Sequence, residues 1–154
     1  DTHLGCVDVR NTWSSCELEP FYALADKCGM VMMSHVIARQ VDSVPASLSA
    51  KWIAKLRDSG FDGVVVSDDI QMQAIYALGV GDNELEILTN IIIQALSAGN
   101  DMVIVGQQHN VLPMSKWDDL LSKLVDAVVS GRLCADKLRY SIKRIENMHA
   151  VFVN

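Results

Sequence analysis

Short runs rich in β-branched and other apolar residues alternate with longer amphipathic stretches, and this alternation constrains the chain more than any other feature. MVMMSHV (30–36), FDGVVVSDD (61–69) and DMVIVG (101–106) each read as a buried strand. Between them the apolar spacing changes from continuous to helical. ELEPFYALADKC (17–28) predicts a helix stopped by Gly29, and Ser47 or Ser49 predicts the cap of a helix that buries Trp52, Ile53 and Leu56 and ends at Gly60. NELEILTNIIIQALSAG (83–99) is apolar most of the way round, which predicts a helix buried on more than one side, with Asp82 as its cap. Trp117, Leu120, Leu121, Leu124, Val125, Val128 and Val129 follow i, i+3, i+4 spacing up to Gly131, and a last helix runs over 134–152 through Leu138, Ile142, Ile145 and Met148.

The order α-β-α-β-α-β-α-α predicts an α/β fold: about three parallel strands, right-handed crossovers and covering helices. A closed barrel of eight such units needs about 250 residues, and 154 fall short of it. The strands therefore leave edges that something must cover. In parallel α/β folds ligands gather at the carboxyl ends of the strands. Here those ends read Ser34-His35, Ser67-Asp68-Asp69 and Gly106-Gln107-Gln108-His109.

Half of the residues are apolar, enough for a real core, and the net charge is −6. No Lys/Arg cluster is available to displace counterions from phosphates, so neither nucleic acid nor a membrane surface is expected as a partner. Lys137, Arg139, Lys143 and Arg144 come closest and read as a solvated helix face. The four cysteines (6, 16, 28 and 134) lack CxxC spacing and the four histidines are scattered, so no metal site is expected and no cofactor is implied. Reduced and mostly buried thiols in a cytoplasmic protein are expected. No apolar run is long enough to span a membrane and no secretory leader pattern is present. The chain does not begin with Met, which predicts a trimmed start at Asp1.

Several stretches resemble glycoside hydrolase family 3. GFDGVVVSDDIQMQAI (60–75) resembles the family's nucleophile segment, and VMMSHVIARQVDSVPASLS (31–49) resembles its upstream VMxAHV…PATLS strand and loop. ALSAGNDMVIVG (95–106) is similar to the last barrel strand, and RYSIKRIENM (139–148) to the closing helix with its SVxRI run. DTHLG (1–5) resembles the DSHLGLP loop of the bacterial β-N-acetylglucosaminidase branch, although CVDVRNTW follows where LPxV is usual. The resemblance implies that residues 1–154 form one domain, the C-terminal half of a TIM-type (β/α)8 barrel, without the preceding strands and their KHFPGHG segment.

The same resemblance implies the site. Asp68 is the nucleophile of a retaining glycosidase, His3 the acid/base and Asp1 the group that orients His3. His35, Asp69 and Met72 are the substrate-side candidates: His35 to bond the sugar or hold the Asp68 loop, Asp69 to support the acid or cap the turn, and Met72 to pack beneath it. Retention needs two groups about 5 Å apart across the bond when both are carboxylates. An imidazole can give and take a proton near neutrality, and a carboxylate beside it stabilises the charged ring. A histidine also repels anionic nucleophiles less than a carboxylate does, which leaves phosphorolysis open. His109 and His149 match nothing and read as surface residues. The implied activity is hydrolysis of terminal β-linked N-acetylglucosamine, as in recycling of peptidoglycan fragments. The alternative is a non-catalytic half-barrel that self-associates, as a homodimer or with a missing N-terminal half.

Overall fold

The computed structural model describes residues 1–106 and 112–153, with the side chains of 151–153 excepted. Its strands are β1 (Val7–Asp8), β2 (Met30–Met33), β3 (Val36–Ile37), β4 (Val64–Asp69) and β5 (Met102–Ile104). Its α-helices are α1 (Glu19–Ala23), α2 (Ala50–Asp58), α3 (Gln73–Tyr76), α4 (Glu84–Ala98), α5 (Trp117–Val129) and α6 (Ala135–Val153). The main sheet runs β2-β4-β5, all parallel, with α2 in the β2–β4 crossover and α3 and α4 in the β4–β5 crossover. This is the expected α/β half-barrel. A second sheet was not anticipated: β1 pairs in parallel with β3, setting Val7 against Val36.

β4 is central because its valines have no face that water can reach. Val64, Val65 and Val66 are buried, each worth about 1.5–3 kcal/mol of apolar transfer. Val65 packs with Met33, Trp52, Ile53, Leu56 and Phe61, the cluster that seats α2. A second cluster, around Leu88, Ile91 and Ile92 of α4, joins Ile70 and Ile75 to Leu120 of α5. α4 is thus enclosed on several sides, as its apolar circumference predicts.

Caps explain most boundaries. Ser49 Oγ accepts from Trp52 N at 3.2 Å and opens α2. α4 is capped by Asn83, whose Oδ1 accepts from Glu86 N at 3.0 Å, and not by Asp82. Asp82 is one residue too early to reach the free amides of the first turn, and its own amide donates to Glu86 Oε2. α4 ends on Gly99 at φ 116°, a left-handed position, and a β-carbon there would stand 3.1 Å from Ile53 Cγ2.

Three expectations fail for one physical reason, the identity of the tertiary neighbour. The helix over 17–28 breaks into a 3-10 turn (Ser15–Leu18) and the single turn of α1, because Phe21, Tyr22 and Leu24 are exposed and no packed face sustains it. All four cysteines are exposed, not buried. Arg144 does not belong to a solvated face but donates to the buried Asp101 at 3.0 Å. Among the described residues, no helix is long and apolar enough to cross a membrane.

Candidate active site

The alternation of β4 sends Val65 toward α2 and therefore Val64, Val66 and Asp68 to the opposite face. Met30 and Met32 stand opposite Val64 and Val66 across the β2 pairing, and Met102 stands opposite Val66 across β5. These methionines are exposed, Met32 to 55%. Asp68 thus crowns an apolar, partly uncovered face at the carboxyl end of the central strand.

The hydrogen bonds divide the labour of the acid pair. Asp68 Oδ1 accepts from the Asp69 amide at 2.8 Å. Asp68 Oδ2 has no hydrogen-bond partner among the described residues, so one oxygen is held and the other is available. Asp69 is committed to structure: its Oδ1 accepts from Gln71 N at 3.0 Å and from Gly106 N at 2.9 Å. The Asp69 carboxylate thereby ties β4 to the segment after β5 and closes the turn into α3. A β-carbon on Gly106 would fall 2.1 Å from Asp69 Oδ2, so only glycine permits that approach. The pairing between β4 and β5 is irregular between Val66 and Asp69, where Ser67 Oγ accepts from Ile104 N at 3.2 Å.

His35 ends the β2 segment with no exposed surface. Its Nε2 lies 2.8 Å from the Asp69 carbonyl oxygen and its Nδ1 2.7 Å from Ser47 Oγ. Burial pushes the imidazole below its ordinary pKa. The hydrogen bond to Asp69 and the negative charges of Asp68 and Asp69 oppose that shift without cancelling it. Met72 is buried at the entrance to α3, and its amide donates to the same Asp69 carbonyl at 3.1 Å.

The N-terminal loop reaches this rim through one backbone bond, from Ala74 N to the Thr2 carbonyl at 3.2 Å. Asp1 Oδ1 accepts from His3 N at 2.9 Å and lies 3.0 Å from His3 Nδ1. That contact occupies Nδ1, and Nε2 has no hydrogen-bond partner among the described residues. Both side chains are more than half exposed. The fold thus gathers Asp68, Asp69, His35 and Met72 into one bonded unit and tethers the loop that carries Asp1 and His3 to Ala74 of α3. Gln107, Gln108 and His109 lie outside the described residues, and His149 is exposed on α6. Among the described residues no group of three His, Cys, Asp or Glu is placed to hold a metal ion.

Sequence reasoning named Gly106 among the strand-end residues but missed the parts played by Ser47 and by Asn100, whose Nδ2 donates to the Ser47 carbonyl. Ser47 or Ser49 read as the cap of α2, and the cap is Ser49. Of Ser47, Asn100 and Gly106, only Gly106, a glycine two residues past the end of β5, carried a local signal of close approach.

Parallel strands, crossover helices and a carboxylate pair at the strand ends define one arc of a (β/α)-barrel domain. The chain belongs to glycoside hydrolase family 3: residues 1–148 match the family described as "Glycosyl hydrolase family 3 N terminal domain". It is 36% identical over 130 residues to a beta-hexosaminidase of Methylobacillus flagellatus, covering 80% of this chain and 34% of that protein. A beta-hexosaminidase of Xylella fastidiosa is 41% identical over 111 residues, covering 68% of this chain and 31% of its own length. Among solved structures, a family 3 β-N-acetylglucosaminidase from Paenibacillus superposes with a TM-score of 0.75 at 28% identity, over 96% of this chain and 27% of that one. The chain therefore spans about a third of the length of the relatives it matches.

Proposed function

We propose that the chain carries the nucleophile and acid/base elements of a retaining glycosidase that releases terminal β-linked N-acetylglucosamine. The observation that supports this reading best is the asymmetry of Asp68, with Oδ1 held by the Asp69 amide and Oδ2 unbonded at the rim to which the Asp1–His3 loop is tethered. In the first step Asp68 Oδ2 bonds to the anomeric carbon while His3 Nε2–H passes its proton to the departing glycosidic oxygen. In the second, His3 takes a proton from water, whose oxygen displaces Asp68. Asp1 stabilises the ring while it is charged. The names of the relatives support a hexosaminide as substrate, and a soluble cell-wall fragment in a cytoplasmic recycling step is the setting we infer.

The decisive experiment is hydrolysis of a chromogenic N-acetyl-β-glucosaminide by the purified chain. Turnover is expected, and Asp68→Ala should lower it by about a thousandfold or more, as loss of a nucleophile does. No turnover, or turnover indifferent to Asp68→Ala, overturns the reading.

A second reading has its own support in the open edges of β2 and β5. A two-fold axis parallel to the strands would set β2 of one copy beside β5 of another with all strands still parallel, so a homodimer, or union with an N-terminal half-barrel, would cover both edges. In that form the isolated half is a binding module without activity of its own.

A further inference from the structure

The hydrogen bonds of His35 leave its ring only one tautomer. The Asp69 carbonyl can only accept, so Nε2 carries the proton at the 2.8 Å contact. Nδ1 is then an acceptor and Ser47 Oγ donates to it at 2.7 Å. Ser47 is fully buried and held from both sides: its amide donates to the Ser34 carbonyl at 3.0 Å, and its carbonyl accepts from Asn100 Nδ2 at 2.7 Å. Asn100 is also fully buried, and its Nδ2 donates at 2.7 Å to the Ala95 carbonyl in the last turn of α4. A continuous buried chain therefore runs from α4 through Asn100, Ser47 and His35 to the backbone of Asp69. It reaches the residue whose amide holds Asp68 Oδ1.

We propose that His35 is a positioning residue that never touches the sugar. Fixed as the Nε2–H tautomer by the Asp69 carbonyl and braced at Nδ1 by Ser47, which Asn100 holds, it pins the Asp69–Ile70 peptide and so aims the Asp68 carboxylate. The role rests on Asp68 being the nucleophile, as argued above. Both ring nitrogens are occupied and the ring has no exposed surface, so it has nothing left to offer a hydroxyl of the substrate. Its influence passes through Asp69, whose carbonyl also accepts from Met72 N and whose carboxylate is already clamped by Gln71 and Gly106. Among the described residues His35 supplies the side-chain bond to that carbonyl, and it adds to backbone bonds at both ends of the peptide, from Met72 N and from Ile70 N to the Ile104 carbonyl, each 3.1 Å.

The test uses the whole chain with ¹⁵N-labelled histidine and ¹³C-labelled aspartate. Wild type should show His35 as a single Nε2–H tautomer at neutral pH. Ser47→Ala should leave Nδ1 without its donor, so it should change the Nδ1 nitrogen shift and move the Asp68 carboxyl signal. It should also speed amide exchange at Asp69 and Ile70 by about tenfold, the scale of one buried hydrogen bond. Ser47→Thr should restore all three. His35→Gln, whose amide nitrogen stands near Nε2, should keep the Asp69 and Ile70 amides protected, whereas His35→Asn should not. That pair keeps the test usable if Ser47→Ala folds poorly. An Nδ1–H tautomer in wild type, or Ser47→Ala leaving the Asp68 signal and both amides unchanged, overturns the proposal. In turnover, Ser47→Ala should lower kcat with KM unchanged, whereas a rise in KM alone would mean direct sugar contact. A wild-type chain that hydrolyses nothing would sink the glycosidase reading, and the tautomer and exchange signals would still decide the role of His35.

Discussion

At the scale of the residue, His35 holds an imidazole where a proton is costly to add. Its folded pKa lies below the ordinary value of 6.5 because burial outweighs the bond to Asp69 and the facing charges of Asp68 and Asp69. The unfolded chain, with its ring in water, protonates first as the pH falls, so between the two pKa values the unfolded state binds more protons. Stability therefore rises with pH in that interval, is complete above about 6.5–7, and is lost as the pH falls. Urea midpoints should decline from pH 7 to pH 5, and His35→Gln should flatten that decline. An unchanged slope in the variant would place the effect elsewhere. Asp42 shifts in the same direction from a different cause. Its carboxyl is held below the usual range, first by the Ser49 hydroxyl at 2.7 Å, and what it contributes is lost only below about pH 4, outside that window.

At the scale of the element, β5 and α6 are locked in place by one carboxylate. Asp101 sits just ahead of β5 with no exposed side-chain surface. It accepts from Arg57 Nη2 of α2 at 2.7 Å, from Arg144 Nη1 of α6 at 3.0 Å, and from Val65 N of β4 at 2.9 Å. Removing it takes the buried carboxylate from two partly buried cations, although Arg57 keeps the Phe61 and Gly63 carbonyls and Arg144 keeps Asp62 at 3.4 Å, and takes the acceptor from one buried amide. Asp101→Ala should therefore cost about 3 kcal/mol or more by chemical denaturation, whereas Arg144→Ala, which undoes only the α6 contact, should cost about 1 kcal/mol. Equal costs would mean that α6 rather than the strand ends depends on Asp101. The basic stretch around Arg144 looked like a solvated face because its spacing says which residues share a side of the helix. Spacing does not say what lies beneath them. α1 teaches the converse, since 17–28 has helical composition but no neighbour on its outer face to reward a second turn.

At the scale of the whole molecule, three apolar surfaces stay open among the described residues. Met30, Met32 and Met102 lie open on the sheet face opposite α2, and Leu121, Val125 and Val129 form an exposed apolar stripe along α5, Val129 to 82%. An apolar groove of about 240 Å³ opens between α1, β2 and α2, lined by Trp13, Phe21, Tyr22, Val31 and Trp52. Surfaces of this kind favour association. Sedimentation should show the isolated chain shifting from monomer to dimer with rising concentration, and a monomer at every concentration would remove the self-association reading. What the sequence by itself determined is the order of elements, the parallel α/β class and the place of Asp68 at a strand end. Apolar period and strand alternation are local properties, legible within a dozen residues. What only the tertiary structure decided is the environment of each group: His35 neutral between Ser47 and Asp69, 12 and 34 residues away, the cysteines in solvent, and Arg144 turned inward. Burial and hydrogen-bond partners depend on atoms that are distant in the chain, and no spacing rule along the sequence encodes which of them will arrive.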